Sequence, residues 1–559
     1  MPTHTRLSVL FSAVILSACS PPDEGSQSPI DAQAGREVTA PGKVFRRGNA
    51  AEPETLDPHQ ATGTPAYDIL RDLYEGLTTE SVRSELQPGA AESWEISEGG
   101  TRYVFHLRED GRWSNGEPVT AHDFVSSFRR VLDPLTASPN AQMLTSIVNA
   151  DAVIKGNLPA DQLGVRALDT LTLEIRLTSP TPYFLGLLNH SAAYPVHSAS
   201  LPQAGAAFAR RGKLISNGAY MLDDWRPHEY LEAVKNPYYW DRGNVAIERV
   251  RFLPIEEPFT ELHQYRADEI DYTDTIPSGQ LDWVEENLPG ELHIAPYLVV
   301  YYYYFNLYDE PFKSNRKLRQ ALSMAIDRER IVNRVTGRGE VPAYGWVPPG
   351  IHGYANQAYP WKDLDQRERS RQAQRLFSEA GFVPDDAPSV RILYDTHSTH
   401  KRVAQALQGM WKDVLGIETE LVNQEWAVYL QSRKSPEGAQ LTRSAWVGDY
   451  NDPNTFLEIF RSGNNQNIGG YVSTVFDDLI DAAAEEIDPE KRRQLLREAE
   501  WTLLDDYAFI PIYFFVSKHL VKPYVEGFVP NVMDHNYSRH YRLNMSQPGR
   551  FNSEPLVVE

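Results

Sequence analysis

Cysteine is almost missing from this chain: its 559 residues hold one, Cys19. That excludes an intramolecular disulfide and any zinc site built on cysteine pairs. Positive charge is also short. Lys and Arg number 54 against 76 Asp and Glu, a formal net charge of −22. Such a surface repels phosphate backbones, so no nucleic acid is expected as a partner. No stretch reaches the roughly 18 consecutive apolar residues of a membrane-spanning helix. Catalytic signatures are missing too. There is no Gly-x-Ser-x-Gly elbow, phosphate-loop pattern, Gly-x-Gly-x-x-Gly turn or His-Glu-x-x-His pair, and His228-Glu229 lacks a second histidine. No tandem period of about 20–50 residues is visible. The expectation is a protein that is not an enzyme and carries no cofactor.

What is present is ordinary globular composition, 41% hydrophobic and 23% charged. The length allows three or four domains at roughly 150 residues each. Eleven Trp and 29 Tyr supply rigid apolar area with a polar tip, which suits both cores and ligand pockets.

The N-terminus reads as an address. His4 and Arg6 precede the apolar run Leu7–Leu16, and small residues follow at Ser17-Ala18-Cys19-Ser20. The run is long enough for a signal peptide and too short to span a bilayer. Leu16-Ser17-Ala18-Cys19 resembles a bacterial lipobox, in which the cysteine is acylated and becomes the new N-terminus. An ordinary signal peptide with an incidental cysteine is the other reading. Residues 20–42 are rich in Pro, Gly, Ser, Ala, Asp and Gln, the composition of a flexible tether. Residues 1–18 are therefore expected to be a signal peptide and 19–42 a tether, holding the protein at the periplasmic face of the cell envelope.

Strand and helix patterns alternate through the rest. Tyr103–Arg108 alternates as a strand, and Leu171, Leu173, Ile175 and Leu177 share one face of another. Thr120 and Asp123 form a capping-box pattern ahead of a helix that buries Phe124, Phe128 and Val131. Val403, Leu407, Met410 and Val414 make a helical stripe. Leu495, Leu496, Ala499, Leu503 and Leu504 make a second, after Asp488-Pro489 as cap and first turn. The fold class is a mixed α/β protein with several lobes.

Several segments, in order, resemble the oligopeptide-binding proteins of ABC importers, the peptide/nickel class of family 5 solute-binding proteins. They are Glu52-Pro53-Glu54-Thr55-Leu56-Asp57-Pro58-His59, Asp72-Leu73-Tyr74-Glu75-Gly76-Leu77, Ala91-Glu92-Ser93-Trp94 and Trp113–Phe124. Ser216-Asn217-Gly218-Ala219-Tyr220, Lys317–Arg328, Asn423-Gln424-Glu425-Trp426 and Trp446–Pro453 complete the set. The resemblance runs from about residue 43 to 545. It implies a two-lobed periplasmic-binding-protein fold of type II with an extra third domain. The lobes are joined by a two-strand hinge and close by hinge motion. It divides the chain into lobe I at 43–64, 200–299 and 516–545, the extra domain at 65–199 and lobe III at 300–515. Residues 546–559 form a tail.

The resemblance also implies a site. Asp449 matches the aspartate that pairs with a peptide's α-ammonium, although Asp449–Pro453 alone is equally a turn. Arg443, Arg433 and His400 fall on positions that meet a peptide carboxylate. Backbone pairing is expected from Glu52–Glu54 on one side and from Ala445–Val447 on the other, with the ligand as an added strand. Trp426 is expected to wall a side-chain pocket, and Tyr303 to face the cleft if the run Tyr301–Phe305 is a strand. The pattern departs from the family at four places. Pro53 lacks an N–H, Thr336 stands in place of a lysine, Asn140 in place of a tyrosine, and the Arg433–Arg443 loop is one residue longer. The implied partners are short peptides, an inner-membrane permease and, through Cys19, the membrane; a monomer is expected. A carrier of nickel, heme or sugar, with His397 and His400 three apart, is a competing reading. A sensor or envelope lipoprotein of the same fold is another.

Overall fold

The computed structural model describes residues 44–544 except 202–207, 278, 338, 385–386 and 435–438. The expected signal peptide, tether, Cys19 and residues 546–559 lie outside the described residues.

Three larger sheets organise the chain. In the first, Val44–Gly48 pairs in parallel with Arg249–Leu253, and Tyr230–Lys235 and Tyr220–Arg226 extend it antiparallel. The second is antiparallel, in the order Ala91–Ser97, Arg102–Leu107, Thr172–Arg176, Val165–Ala167. These two sheets share one apolar core, from Phe45, Ala233 and Phe252 to Phe105, Leu173 and Ile175. The third sheet has six strands, in the order Val341–Pro342, Phe509–Leu520, Leu292–Phe305, Leu441–Val447, Val390–Asp395, Thr419–Gln424. It is buried in a separate core with Leu318, Leu322, Val403, Leu407, Leu496 and Leu503.

The patterned helices form where amphipathic spacing put them. Ala121–Leu132 is opened by a reciprocal capping box between Thr120 and Asp123, and Asp488 caps Pro489–Asp505. Ser398–Leu415 buries Val403, Leu407 and Met410 and ends at Gly416, whose φ of 71° is the left-handed conformation a helix C-terminus favours.

Two long strands leave the third sheet together. Leu292–Phe305 and Phe509–Leu520 pair antiparallel from Leu292↔Leu520 to Tyr304↔Phe509. Register shifts fall between Pro296 and Val300 and between Tyr301 and Tyr302. Pro296 has no N–H to give to the ladder, which fits an irregularity there. One end of the ribbon packs in the large core with Tyr304 and Phe509. At the other end Leu520, with Leu292 against it, joins a small third cluster with Leu262, Tyr265 and Ile276. The ribbon thus links two packed regions of the chain.

Candidate functional site

Strand Leu441–Val447 is paired along its whole length on one side, from Leu441↔Phe305 to Val447↔Val299. On its other side Val390–Asp395 pairs with it only at Leu441 and Thr442. Among the described residues no strand covers that edge from Arg443 to Val447. At about 3.3 Å per residue this free edge is about 13 Å long, room for roughly four residues of an added strand. Such an unpaired edge is a template for β-augmentation.

The edge runs between groups of opposite charge. At one end stands Asp449, just past the strand. It lines two adjoining cavities of about 290 and about 370 Å³, which also share Asn140 and Met143. Val447 and Gly448 face the smaller and Trp446 the larger, as alternation along a strand requires. The Asp449 backbone N–H donates to Thr455 Oγ1 at 3.0 Å. Protein walls crowd the carboxylate and Glu458 lies near it, and together they push its pKa up to about 6. Solvent still reaches the side chain, so the shift reflects crowding rather than a sealed position. A carboxylate held this way gains from a cation that replaces lost water.

The other end holds Arg443. Its guanidinium lies 3.2 Å from Asp395 and 4.8 Å from the Tyr301 ring centre. Asp395 ends the neighbouring parallel strand, and Ser398–Leu415 begins just beyond it with His400 in its first turn. His400 Nδ1 is 3.0 Å from the same Asp395 oxygen. Burial would raise the Asp395 carboxyl, but the His400 hydrogen bond and the Arg443 charge outweigh it and hold it low. Burial, with Arg443 nearby, lowers His400 despite Asp395, so its imidazole tends to be neutral. Arg433 follows Trp426–Ser432 and lies over the Tyr429 ring at 6.0 Å, and Tyr429 donates its hydroxyl to the Arg443 carbonyl. Trp426 stacks on Tyr429 at 5.7 Å with half its surface exposed.

The structure therefore gathers Arg443, His400, Arg433 and Trp426 at one end of the edge and Asp449 at the other, with Ala445 and Val447 between. Glu52 and Glu54 sit differently. They lie in coil, not strand. Glu52 accepts from the Trp225 indole at 2.6 Å and the His228 backbone N–H at 3.2 Å. Glu54 accepts from the Thr62 backbone N–H at 2.7 Å. Tyr67, which lines the smaller cavity, feels both Glu54 and Asp449. Tyr303 is wholly buried, in register with Arg443, and lines neither cavity. The expectation that it faces the cleft fails because this strand lies in the interior of a six-stranded sheet covered on both faces. Thr336 is buried and donates to Glu340 at 2.8 Å, also away from both cavities. Asn140 does line both and donates to the Ala61 carbonyl and Tyr67 hydroxyl.

Sequence reasoning missed Asp395, Glu458 and Tyr183. The one signal for Asp395 was its place at the C-terminal end of an apolar strand run, where α/β sheets build ligand sites. Among the described residues no cluster of three or more His, Cys, Asp or Glu could hold a metal ion, and no helix is long and apolar enough to cross a membrane.

Comparison with known proteins places this geometry. A family model described as "Bacterial extracellular solute-binding proteins, family 5 Middle" matches residues 85–468. The periplasmic oligopeptide-binding protein OppA of Escherichia coli is 38% identical over 499 residues, 88% of this chain and 91% of that protein. Among solved structures, the unliganded open form of the periplasmic murein tripeptide-binding protein MppA superposes with a TM-score of 0.81 at 36% identity, covering 90% of this chain and 98% of that one. Haemophilus influenzae OppA in complex with RPPGFSPFR gives 0.74 at 35%, with 90% and 99% covered. With the sheets, the free edge and these matches in agreement, the chain belongs to the bacterial extracellular solute-binding proteins of family 5, which are binding proteins and not enzymes.

Proposed function

We propose that the protein captures short peptides in extended form outside the cytoplasm and delivers them to the permease of an ABC importer. One observation carries the reading: a free strand edge, Arg443–Val447, runs from a crowded carboxylate at Asp449 to the Arg443 guanidinium. A peptide offers the matching set of ammonium, backbone donors and acceptors, and carboxylate. The N-terminus of the 18-residue helix Ser398–Leu415 adds partial positive charge at the carboxylate end. Recognising only what all peptides share leaves the side chains to the two cavities. The names of the relatives, OppA and MppA, support peptide as the solute.

In this reading 43–64, 200–299 and 516–545 act as lobe I, 65–199 as the extra domain and 300–515 as lobe III. They close about the ribbon of Leu292–Phe305 and Phe509–Leu520. The lipobox pattern at Cys19 supports a tether to the membrane at the periplasmic face. Native mass spectrometry of protein purified from its host tests the ligand: co-purified peptides support the reading, and heme, metal or sugar in their place overturns it. Cys19→Ser tests the tether, since a variant that still partitions with membranes refutes acylation there.

A further inference from the structure

The larger cavity beside Asp449 carries a second carboxylate in its wall. Glu458, in the short helical turn after Asn454–Leu457, lines it with Trp446, Tyr183 and Tyr450. The Tyr183 and Tyr450 rings stack face to face, 4.7 Å apart and 4° from parallel. Tyr183 donates its hydroxyl to Glu458 at 3.3 Å and Asn454 donates its amide at 3.0 Å. Those neutral donors orient the carboxylate but leave its charge in place. The nearby Arg461 is committed to Asp481. Among the described residues neither Asp449 nor Glu458 forms an ion pair, and Glu458 sits close enough to Asp449 to raise the cost of ionising it. Burial raises the Glu458 pKa as well.

Two unpaired carboxylates on one cavity, beside aromatic faces, make a receptor for two positive charges a few ångströms apart. A peptide whose first residue is lysine or arginine carries that pair on a single residue. We propose that the cavity lined by Glu458, Tyr183, Tyr450 and Trp446 is a specificity pocket for a cationic side chain on the peptide's amino-terminal residue. This rests on the reading that Asp449 holds the α-ammonium. The second cation reaches Glu458, and the ring faces stabilise its charge where water is thinned out. About 370 Å³ of space accommodates the long aliphatic stem of either residue.

Calorimetry of the full mature protein with the tripeptides Lys-Ala-Ala, norleucine-Ala-Ala and Ala-Lys-Ala tests this at neutral pH. Norleucine keeps the stem and removes the charge. Lys-Ala-Ala is expected to bind at least about tenfold tighter than norleucine-Ala-Ala, the scale of one charge-assisted contact. In Glu458→Gln that ratio is expected to fall close to one. Equal binding of the lysine and norleucine peptides by the unaltered protein overturns the pocket while leaving peptide capture intact, and needs no variant to fold. An equal advantage for Ala-Lys-Ala also overturns it, because the cation would then act at the wrong position. Failure of all three peptides to bind overturns the reading at Asp449 and the pocket with it.

Discussion

Asp395 accepts from the guanidinium of Arg443 at 3.2 Å and takes up one donor of the cation that a ligand carboxylate would approach. Both side chains are about nine-tenths buried, at 11% and 10% exposure, so little water screens the pair. The negative charge on Asp395 offsets Arg443 and repels a second carboxylate. Asp395→Asn is therefore expected to widen the gap between free-acid and C-terminally amidated forms of one peptide, by about 1–2 kcal/mol in favour of the acid. Calorimetry on both forms checks this. A gap that stays constant or narrows means that Arg443 does not receive the carboxylate.

At the opposite end, Asp449→Ala is expected to weaken peptide binding by about 2–4 kcal/mol, from the lost charged contact and the unpaired ammonium left behind. The pH profile gives a second check. Crowding and Glu458 raise Asp449 to about 6, and only its ionised form attracts an ammonium. Affinity should hold steady above that value and fall as pH drops through it. A peptide α-amine deprotonates near about 8, so affinity falls again on the alkaline side. Isothermal titration across this range should trace a bell whose acid limb disappears in Asp449→Ala. Tight binding of an N-acetylated peptide contradicts the assignment.

Much of this molecule was legible in its residues, and the reason differs from place to place. The Thr120–Asp123 cap and the stripes on Ser398–Leu415 and Pro489–Asp505 follow from local geometry, which a single segment encodes. Asp449 and Arg443 became readable through the order of motifs across the whole chain. Tyr303 did not, because alternation along Tyr301–Phe305 tells which residues share a face and not that both faces are covered. Asp395 and Glu458 belong to the same class of miss. Each matters through a partner distant in sequence, Arg443 in one case and Tyr183 in the other, and no spacing records such a pair.

Stability should vary with pH in a direction set by the buried titrating groups. Burial raises Glu500 to about 7 and Glu261 to about 8, and His519, paired with Asp534 at 2.7 Å, is raised to about 9. A raised group holds its proton more tightly when folded, so its stabilisation is lost as pH climbs through the folded value. The opposite holds for His59, lowered to about 4, and His190, lowered to about 3, each by burial first and nearby arginine second. Arg130 donates to His59 Nδ1 at 2.8 Å, which leaves Nε2–H to face the Tyr194 carbonyl at 3.0 Å and fixes a neutral ring. Their contribution is lost as pH falls below the ordinary histidine range. The unfolding temperature should peak in mildly acidic solution, where the lowered histidines and the raised carboxyls offset each other, and decline from there to about pH 9. A melting temperature that climbs steadily to alkaline pH contradicts this.

Glu500 offers a sharper test of the same physics. It is fully buried on Pro489–Asp505 and accepts from the backbone N–H of Trp346 at 3.0 Å, Val347 at 2.9 Å and Gln357 at 3.3 Å, and from the Tyr354 hydroxyl at 2.7 Å. Those four donors hold the segment 346–357 against the third sheet. There Trp346 meets Tyr302 and Phe509 of the two ribbon strands at 4.8 and 4.5 Å. Glu500→Ala strands the donors in a buried site, where each unsatisfied group costs about 1–3 kcal/mol. A loss of about 3–5 kcal/mol is expected once some of them relax or recruit water. Glu500→Gln keeps an acceptor oxygen and should lose less than half as much. It should also remove part of the decline between about pH 4.5 and 7, since the amide has no proton to lose. Denaturation midpoints of both variants at acidic and alkaline pH decide the matter. Equal losses for Ala and Gln would mean that Glu500 acts through its charge and not through the hydrogen bonds it accepts.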